Sequence, residues 1–191
     1  MDRRHHVDRV FRIRVIATSY RSNVMSKAQM VAVTVVAVLI TGLAPSASAA
    51  DSREMKTGAY GQRVTVLQTK SLDPQGERVL VRGRQFDPRV GVYVALCVMP
   101  KPQQAPTPCG GGVDTQGASG ASAWISSNPP PYARNLVQPF GKNGSFRAAI
   151  TVSSKIGDVD CREVQCAITV RADHLRSRDR SHDVIIPVTF E

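Results

Sequence analysis

The chain has few aromatic residues, no extended run of basic residues and no apolar segment of membrane-spanning length. Aromatic residues make up 5% of its 191 residues, and only one tryptophan is present. The 25 lysines and arginines exceed the 15 aspartates and glutamates, which gives a formal net charge of +10. Because a basic cluster interleaved with aromatic residues is missing, the composition argues against a nucleic-acid interface.

The apolar stretch from Met30 to Leu43 is shorter than the roughly 20 residues that a spanning helix needs. It is followed by the small residues Ala47-Ser48-Ala49, a pattern that signal peptidase accepts. We interpret residues 1–49 as a leader: 25–49 is the signal peptide, cleaved at Ala49, and 1–24 reflects a misassigned start, because Met25 begins a compact signal. The chain is therefore expected to be secreted or held in the cell envelope, without a stable membrane span after cleavage. An uncleaved anchor is the alternative.

The sequence also lacks the usual motifs of catalysis and nucleotide binding. No serine lies in a Gly-x-Ser-x-Gly turn. The glycines 110–112 are not followed by the lysine and helix of a phosphate-binding loop. We therefore predict a protein that is not an enzyme and has no cofactor.

Four cysteines are present: Cys97, Cys109, Cys161 and Cys166. An even number in an exported chain indicates disulfides, for which three pairings are open. The spacings favour the two local pairs, Cys97–Cys109 and Cys161–Cys166. Closing loops of these sizes stabilises the fold by about 3 and about 2 kcal/mol, respectively. A zinc site is disfavoured because the two-residue spacing of a zinc knuckle is missing.

Apolar and polar residues alternate with a period of two after a polar segment at 50–62, which we predict to be a flexible lead. No segment has a helical period, and turn signals separate the strands, so residues 63–191 predict a β-sandwich. A seventh strand is predicted at Ser122–Ile125, in addition to six alternating segments. These are Arg63–Gln68, Glu77–Gly83, Gly91–Val98, Phe146–Val152, Cys166–Arg171 and Val184–Phe190.

Residues 100–142 form a long insertion rich in proline and glycine. Such loops in compact domains are usually functional or disordered. The insertion contains Trp124, Tyr132 and Phe140, and disordered segments are poor in aromatic residues. We therefore predict an ordered loop that binds a ligand or packs on the domain.

Five segments between Val64 and Phe190 combine strand, turn and cysteine patterns. They are Leu72–Gly83, Gly91–Cys97, Asn143-Gly144-Ser145-Phe146 with Thr151-Val152, Val159-Asp160-Cys161 with Cys166, and the last strand. On these segments the stretch from Val64 to Phe190 resembles the neocarzinostatin family, whose apoproteins carry enediyne chromophores. The resemblance implies an immunoglobulin-like sandwich of seven strands, the two local disulfides and a ligand cleft.

Two departures from the family concern its cleft. The family has a tryptophan two residues after the first cysteine, and this chain has Met99 there. The aromatic hairpin that precedes the family's Val-Asp-Cys is replaced by residues 153–158, which include no aromatic. We therefore expect a ligand other than an enediyne, because function depends on the site and not on the fold.

The segment from Arg171 to Asp183 is the most polar of the chain. Arg171 and Arg176 are candidates for binding an anion. His174 and His182 are candidates for holding haem or a metal ion. The alternative is a solvated loop whose charges compensate one another.

The sequence therefore predicts a secreted, non-catalytic binding module whose ligand is small and either apolar or anionic. The alternatives are a structural or interaction protein of the cell envelope, and a protein that captures haem or a metal through the loop from His174 to His182. The sequence does not indicate an oligomeric state. The candidate ligand-binding residues are Met99, Trp124, Tyr132, Phe140, Arg171, His174, Arg176 and His182.

Overall fold

The computed structural model describes residues 52–111 and 119–191. The predicted leader at 1–49, its division at residue 25 and its cleavage at Ala49 lie outside the described residues. The same holds for residues 112–118 of the insertion. Within the described part of the chain, no helix is long and apolar enough to cross a membrane.

β-Strands make up nearly all the regular structure of the described residues, and only three short 3₁₀ helices accompany them. The helices are Pro131–Ala133, Lys142–Gly144 and His174–Arg176. The strands are β1 (Glu54–Thr57), β2 (Arg63–Val66), β3 (Glu77–Arg84), β4 (Val92–Val98), β5 (Ser122–Ile125), β6 (Val137–Gln138), β7 (Phe146–Val152), β8 (Lys155–Ile156), β9 (Val159–Asp160), β10 (Cys166–Ala172) and β11 (Val184–Val188).

Two sheets form the body of the domain. The first has the strand order β1-β2-β3-β7 and is antiparallel throughout. The second has the order β11-β10-β4-β5-β6, in which only the pair β5–β6 is parallel. The short strands β8 and β9 pair as a separate hairpin.

The core lies between the two sheets and is built from the alternate residues of their strands. β7 shows the rule clearly: Phe146, Ala148, Ile150 and Val152 are buried, and the residues between them are exposed. Successive side chains of a strand point to opposite faces, so one face of each sheet enters the core. The buried cluster draws on both sheets, which makes the domain the predicted all-β sandwich.

Both predicted disulfides are confirmed. Cys97 is bonded to Cys109 and Cys161 to Cys166, with no free cysteine among the described residues. The first bond joins the end of β4 to the proline-rich loop. The second closes the short connection between β9 and β10.

The structure differs from the predicted strand plan in the lead and in the number of strands. The lead predicted to be flexible at 50–62 contains β1, whose four residues are exposed and pair with β2. Sequence alternation cannot reveal such a strand, because it buries neither face. The predicted seventh strand, Ser122–Ile125, is present as β5. β6, β8 and β9 have two residues each, too few to show a period.

Candidate functional site

The outer face of the five-stranded sheet has a cleft whose floor follows from the strand register. On β4, Tyr93, Ala95 and Cys97 point away from the core, because Val92, Val94 and Leu96 point into it. Each of these outward residues has neighbours at the same height on the adjacent strands. The floor therefore consists of rows that run across the sheet.

On this floor, a row of large side chains lies next to a row of small ones. The first row is Arg171, Tyr93 and Trp124, on β10, β4 and β5. The second is Thr169, Ala95 and Ser122, on the same three strands. Because the second row has only short side chains beside a row of large ones, it leaves a depression in the sheet.

The depression is enclosed on its other sides by connecting segments. Cys97 and Cys109, with Gly110, bound one end, and the segment from Tyr132 to Leu136 forms a side wall. His174, in the 3₁₀ helix after β10, bounds the end with the aromatic row. The volume is about 840 Å³, within the usual range for small-molecule sites.

A buried carboxylate fixes the orientation of the only tryptophan. The Trp124 indole Nε1–H donates to Asp173 Oδ2 at 3.0 Å. The other oxygen, Asp173 Oδ1, accepts from the backbone N–H of Leu175 at 3.1 Å and caps the 3₁₀ helix there. Asp173 is only 2% exposed. Gly91 makes room for it, because a Cβ on that residue would lie 2.1 Å from Asp173 Oδ2.

His174 joins the sheet to the side wall through both ring nitrogens. Its Nδ1 lies 2.6 Å from the Tyr93 hydroxyl, and its Nε2 lies 2.8 Å from the Tyr132 hydroxyl. A tyrosine hydroxyl can both donate and accept, so each of the two can pair with the ring nitrogen that faces it. The ring also packs edge-on against Trp124, with centroids 5.1 Å apart.

The electrostatics of the aromatic row keep Tyr93 protonated. Burial, and then the negative charge of Asp173, raise the pKa of Tyr93 to about 12. Its phenol is therefore a stable hydrogen-bonding group at ordinary pH. The guanidinium of Arg171 acts in the opposite direction on this pKa, and it is the cationic group of the cleft.

Arg171 also holds the disulfide loop against the sheet. Its Nη1 donates to the carbonyl oxygen of Pro106 at 3.1 Å. Pro106 is buried although it belongs to the proline-rich insertion. The end of the cleft at Cys109 is thereby tied to the same arginine that lines its floor.

The structure brings four of the eight candidate residues together. Trp124, Tyr132, Arg171 and His174 all line the cleft. They come from β5, a 3₁₀ helix in the insertion, the end of β10 and the helix that follows it. The described part of the predicted insertion thus supplies both a strand of the floor and the side wall.

The other four candidates are not among the residues that line the cleft. Met99 follows β4, and its backbone N–H donates to the carbonyl oxygen of Gln165. Phe140 packs on the phenylalanines at positions 86 and 146, because an apolar ring gains more from the edge of the core than from solvent. Arg176 is exposed. His182 contacts Ser181 and lies 3.5 Å from Asp179.

The two histidines of the predicted haem or metal site have different surroundings. His174 contacts Tyr93, Tyr132 and Trp124, and none of these is a partner of His182. Among residues 52–111 and 119–191, no group of three or more histidines, cysteines, aspartates or glutamates is placed to hold a metal ion.

Sequence reasoning missed Tyr93, Asp173 and the small residues of the floor. The outward position of Tyr93 could have been predicted, because Tyr93 alternates with the apolar residues of β4. Asp173 lacked such a signal. Its partner, Trp124, is 49 positions away in the chain, and only the folded sheet brings the two together.

Comparison with known proteins yields one likeness of fold. No family model matches the chain, and no curated protein matches it. The solved structure of macromomycin, a protein of the neocarzinostatin family, is similar at 17% identity with a TM-score of 0.44. The match covers 68% of this chain and 99% of macromomycin. The likeness is one of fold alone, and membership in the family stays a prediction.

Proposed function

We propose that the protein is an exported, non-catalytic binding protein that holds a small ligand in the cleft of the five-stranded sheet. The observation that carries the proposal is the cleft itself, in which an aromatic row lies beside a row of small residues. Tyr93, Trp124 and His174 offer ring faces and edges, and Arg171 offers a positive charge. A planar, mainly apolar ligand with an anionic group fits this combination.

The hydrogen bonds of His174 bear on the alternative of haem capture. Both imidazole nitrogens are engaged by tyrosine hydroxyls. Binding iron through either nitrogen would therefore require one of these hydrogen bonds to break. This cost favours a role for His174 as part of the wall over a role as an axial ligand.

Trp124 allows the proposal to be tested directly, because it is the only tryptophan and it lines the cleft. We would titrate the purified, oxidised protein with 8-anilinonaphthalene-1-sulfonate, a planar aromatic anion, and follow energy transfer from Trp124 to the dye. Planar polyketide-like compounds, haem and anionic glycans would follow as competitors. We expect saturable transfer at one dye per chain.

The matched variants are His174→Ala and His182→Ala, two histidines that lie eight positions apart. We expect His174→Ala to weaken dye binding by about tenfold, which corresponds to about 1.4 kcal/mol, and His182→Ala to leave it unchanged. Equal effects of the two variants, or no saturable transfer, would contradict the proposal. Displacement of the dye by haem with a shifted Soret band, lost in His174→Ala, would favour the haem alternative.

A further inference from the structure

The outer face of the four-stranded sheet has five arginines and no acidic residue. Alternation along β2, β3 and β7 points these arginines away from the core, and all five are exposed. The other outward residues of this sheet are Met55, Thr57, Thr65, Leu80, Ala149 and Thr151. The arginines, which together we call the arginine face, are Arg63, Arg78, Arg82, Arg84 and Arg147.

Four of these arginines oppose one another directly across the strands. Arg63 of β2 pairs with Arg84 of β3, and Arg82 of β3 pairs with Arg147 of β7. Side chains opposite each other in an antiparallel pair have Cβ atoms about 5 Å apart, and like charges there are destabilising. The sheet thus places like charges together twice, at a cost in stability.

The arginine face also differs from the arginines elsewhere in the domain. Arg89, Arg162 and Arg180 each form an ion pair with an aspartate. None of the five guanidinium groups of the face forms a hydrogen bond or ion pair with another described residue. Within residues 52–111 and 119–191, no side chain competes with an external anion for these five guanidinium groups.

We propose that the arginine face is a docking surface for a linear polymer of phosphate groups that carries no bases, because the outward residues of the face include no aromatic ring on which a base could stack. A guanidinium group binds phosphate through two parallel N–H donors, which makes arginine well suited to this partner. Along β3, Arg78 and Arg82 are about 13 Å apart, and Arg82 and Arg84 are about 7 Å apart. One phosphate cannot contact groups spread over this length, whereas a polymer lying along β3 contacts all of them in succession.

The apolar residues of the same face favour a polymer over a lipid bilayer. Only Met55 and Leu80 are sizeable apolar residues on it, and Leu80 is half-buried between the arginines. A surface that docks on a bilayer inserts a broad apolar area among the headgroups. The arginine face instead has positive charge along its length and few apolar side chains that could insert into a bilayer.

The test measures binding of fluorescein-labelled inorganic polyphosphate to the purified, oxidised protein by fluorescence anisotropy at several salt concentrations. Five phosphate contacts predict a slope of log K against log[salt] of about −3.5, at about −0.7 for each contact. Removing one cross-strand pair with Arg82→Gln/Arg147→Gln is expected to reduce the slope by about 1.4.

A control variant removes two positive charges elsewhere. Lys101 and Arg178 are exposed and lie in loops outside the four-stranded sheet. Lys101→Gln/Arg178→Gln is expected to leave the slope unchanged. Denaturant unfolding gives a second readout: Arg82→Gln/Arg147→Gln should be at least as stable as the parent, because a like-charge pair has been removed.

Three outcomes would overturn the proposal. The first is no binding of polyphosphate at low salt. The second is an equal loss of slope in the control, which would mean that net charge alone attracts the polymer. The third is binding to vesicles of phosphatidylcholine and phosphatidylglycerol without binding to polyphosphate, which would assign the face to a bilayer. Because the arginine face and the cleft lie on opposite outer faces, failure here leaves the proposed ligand site unaffected.

Discussion

Gly91 lies behind the aromatic row of the cleft, where any larger residue displaces a buried carboxylate. In Gly91→Ala the new Cβ would lie 2.1 Å from Asp173 Oδ2, so the carboxylate must move away from Trp124 Nε1. An unsatisfied buried polar group costs about 1–3 kcal/mol. We expect the free energy of unfolding to fall by about 2 kcal/mol and Trp124 emission to shift, both measured in one denaturant titration.

Gly110→Ala is the matched control, because Gly110 also borders the cleft. A Cβ there would meet its nearest neighbour, the carbonyl oxygen of Leu96, at 3.6 Å, which is ordinary contact. The same titration should show little change in its stability or emission. If Gly91→Ala is as stable as Gly110→Ala, Asp173 does not depend on the space that Gly91 leaves.

Single residues also show how far sequence reasoning extends into the site. The sequence marks Trp124 and Tyr132 as candidates because disordered segments are poor in aromatic residues, and it marks His174 because an imidazole can hold haem or a metal ion. Their grouping could not be predicted, since it depends on the register of β4 with β5 and β10. Phe140 carried the same signal and packs on the core instead. Residue type therefore selects candidates, and tertiary contacts decide among them.

The two disulfides close loops of different length, and they differ in whether they border the cleft. Chain-entropy arithmetic assigns about 3 kcal/mol to the 12-residue separation of Cys97–Cys109 and about 2 kcal/mol to the 5-residue separation of Cys161–Cys166. Only the first bounds the cleft. Replacing each pair with alanine should lower the free energy of unfolding by these amounts.

The two disulfide variants should differ more in their affinity for the dye than in their free energy of unfolding. Cys97→Ala/Cys109→Ala releases the end of the cleft and is expected to weaken dye binding. Cys161→Ala/Cys166→Ala is expected to leave binding unchanged in the folded fraction, which circular dichroism reports. If both variants bind the dye as the parent does, the loop that ends at Cys109 is not a working wall of the site.

At the level of elements, strands with a buried face were predictable, and strands of two residues or with both faces exposed were not. β3, β4, β7 and β10 have seven or eight residues, enough to show alternating or continuous burial. β1 pairs through its backbone and buries no side chain, so nothing in its sequence marks it. Whether such a strand forms depends on backbone hydrogen bonds to its partner strand, and the pattern of its own side chains does not predict them.

Viewed as a whole, the sandwich has two outer faces of opposite character that the net charge does not reveal. The composition gives a formal net charge of +10 and no location for that charge. The alternation of β2, β3 and β7 collects five arginines on one sheet, and that of β4, β5 and β10 collects aromatic and small residues on the other. The sequence shows which residues of each strand point outward. Which of them are neighbours on adjacent strands depends on the register, which only the structure gives.

Asp183 predicts a pH dependence of the stability of the whole domain. Its side chain is 12% exposed, and its Oδ1 has no hydrogen-bond partner among the described residues. Burial raises the pKa of Asp183 from 3.8 to about 6, although Arg180 lies 2.9 Å away and acts to lower it. The folded state therefore binds more protons than the unfolded state between these two values. By linkage, this residue lowers the stability as the pH rises from about 4 to about 6.

Asp183→Asn removes this titration and isolates its effect. Over that window the free energy of unfolding of the parent should fall relative to Asp183→Asn, and the difference should be constant above about pH 7. The pKa of Asp87, which Arg89 lowers to about 2, acts in the opposite sense and only at more acid pH, so it does not mask the change. Asp158→Asn, at an exposed aspartate, is the control and should follow the parent. A constant difference between the parent and Asp183→Asn from pH 4 to pH 7 in urea unfolding would show that the pKa of Asp183 is the same in the folded and unfolded states, with Arg180 offsetting the cost of its burial.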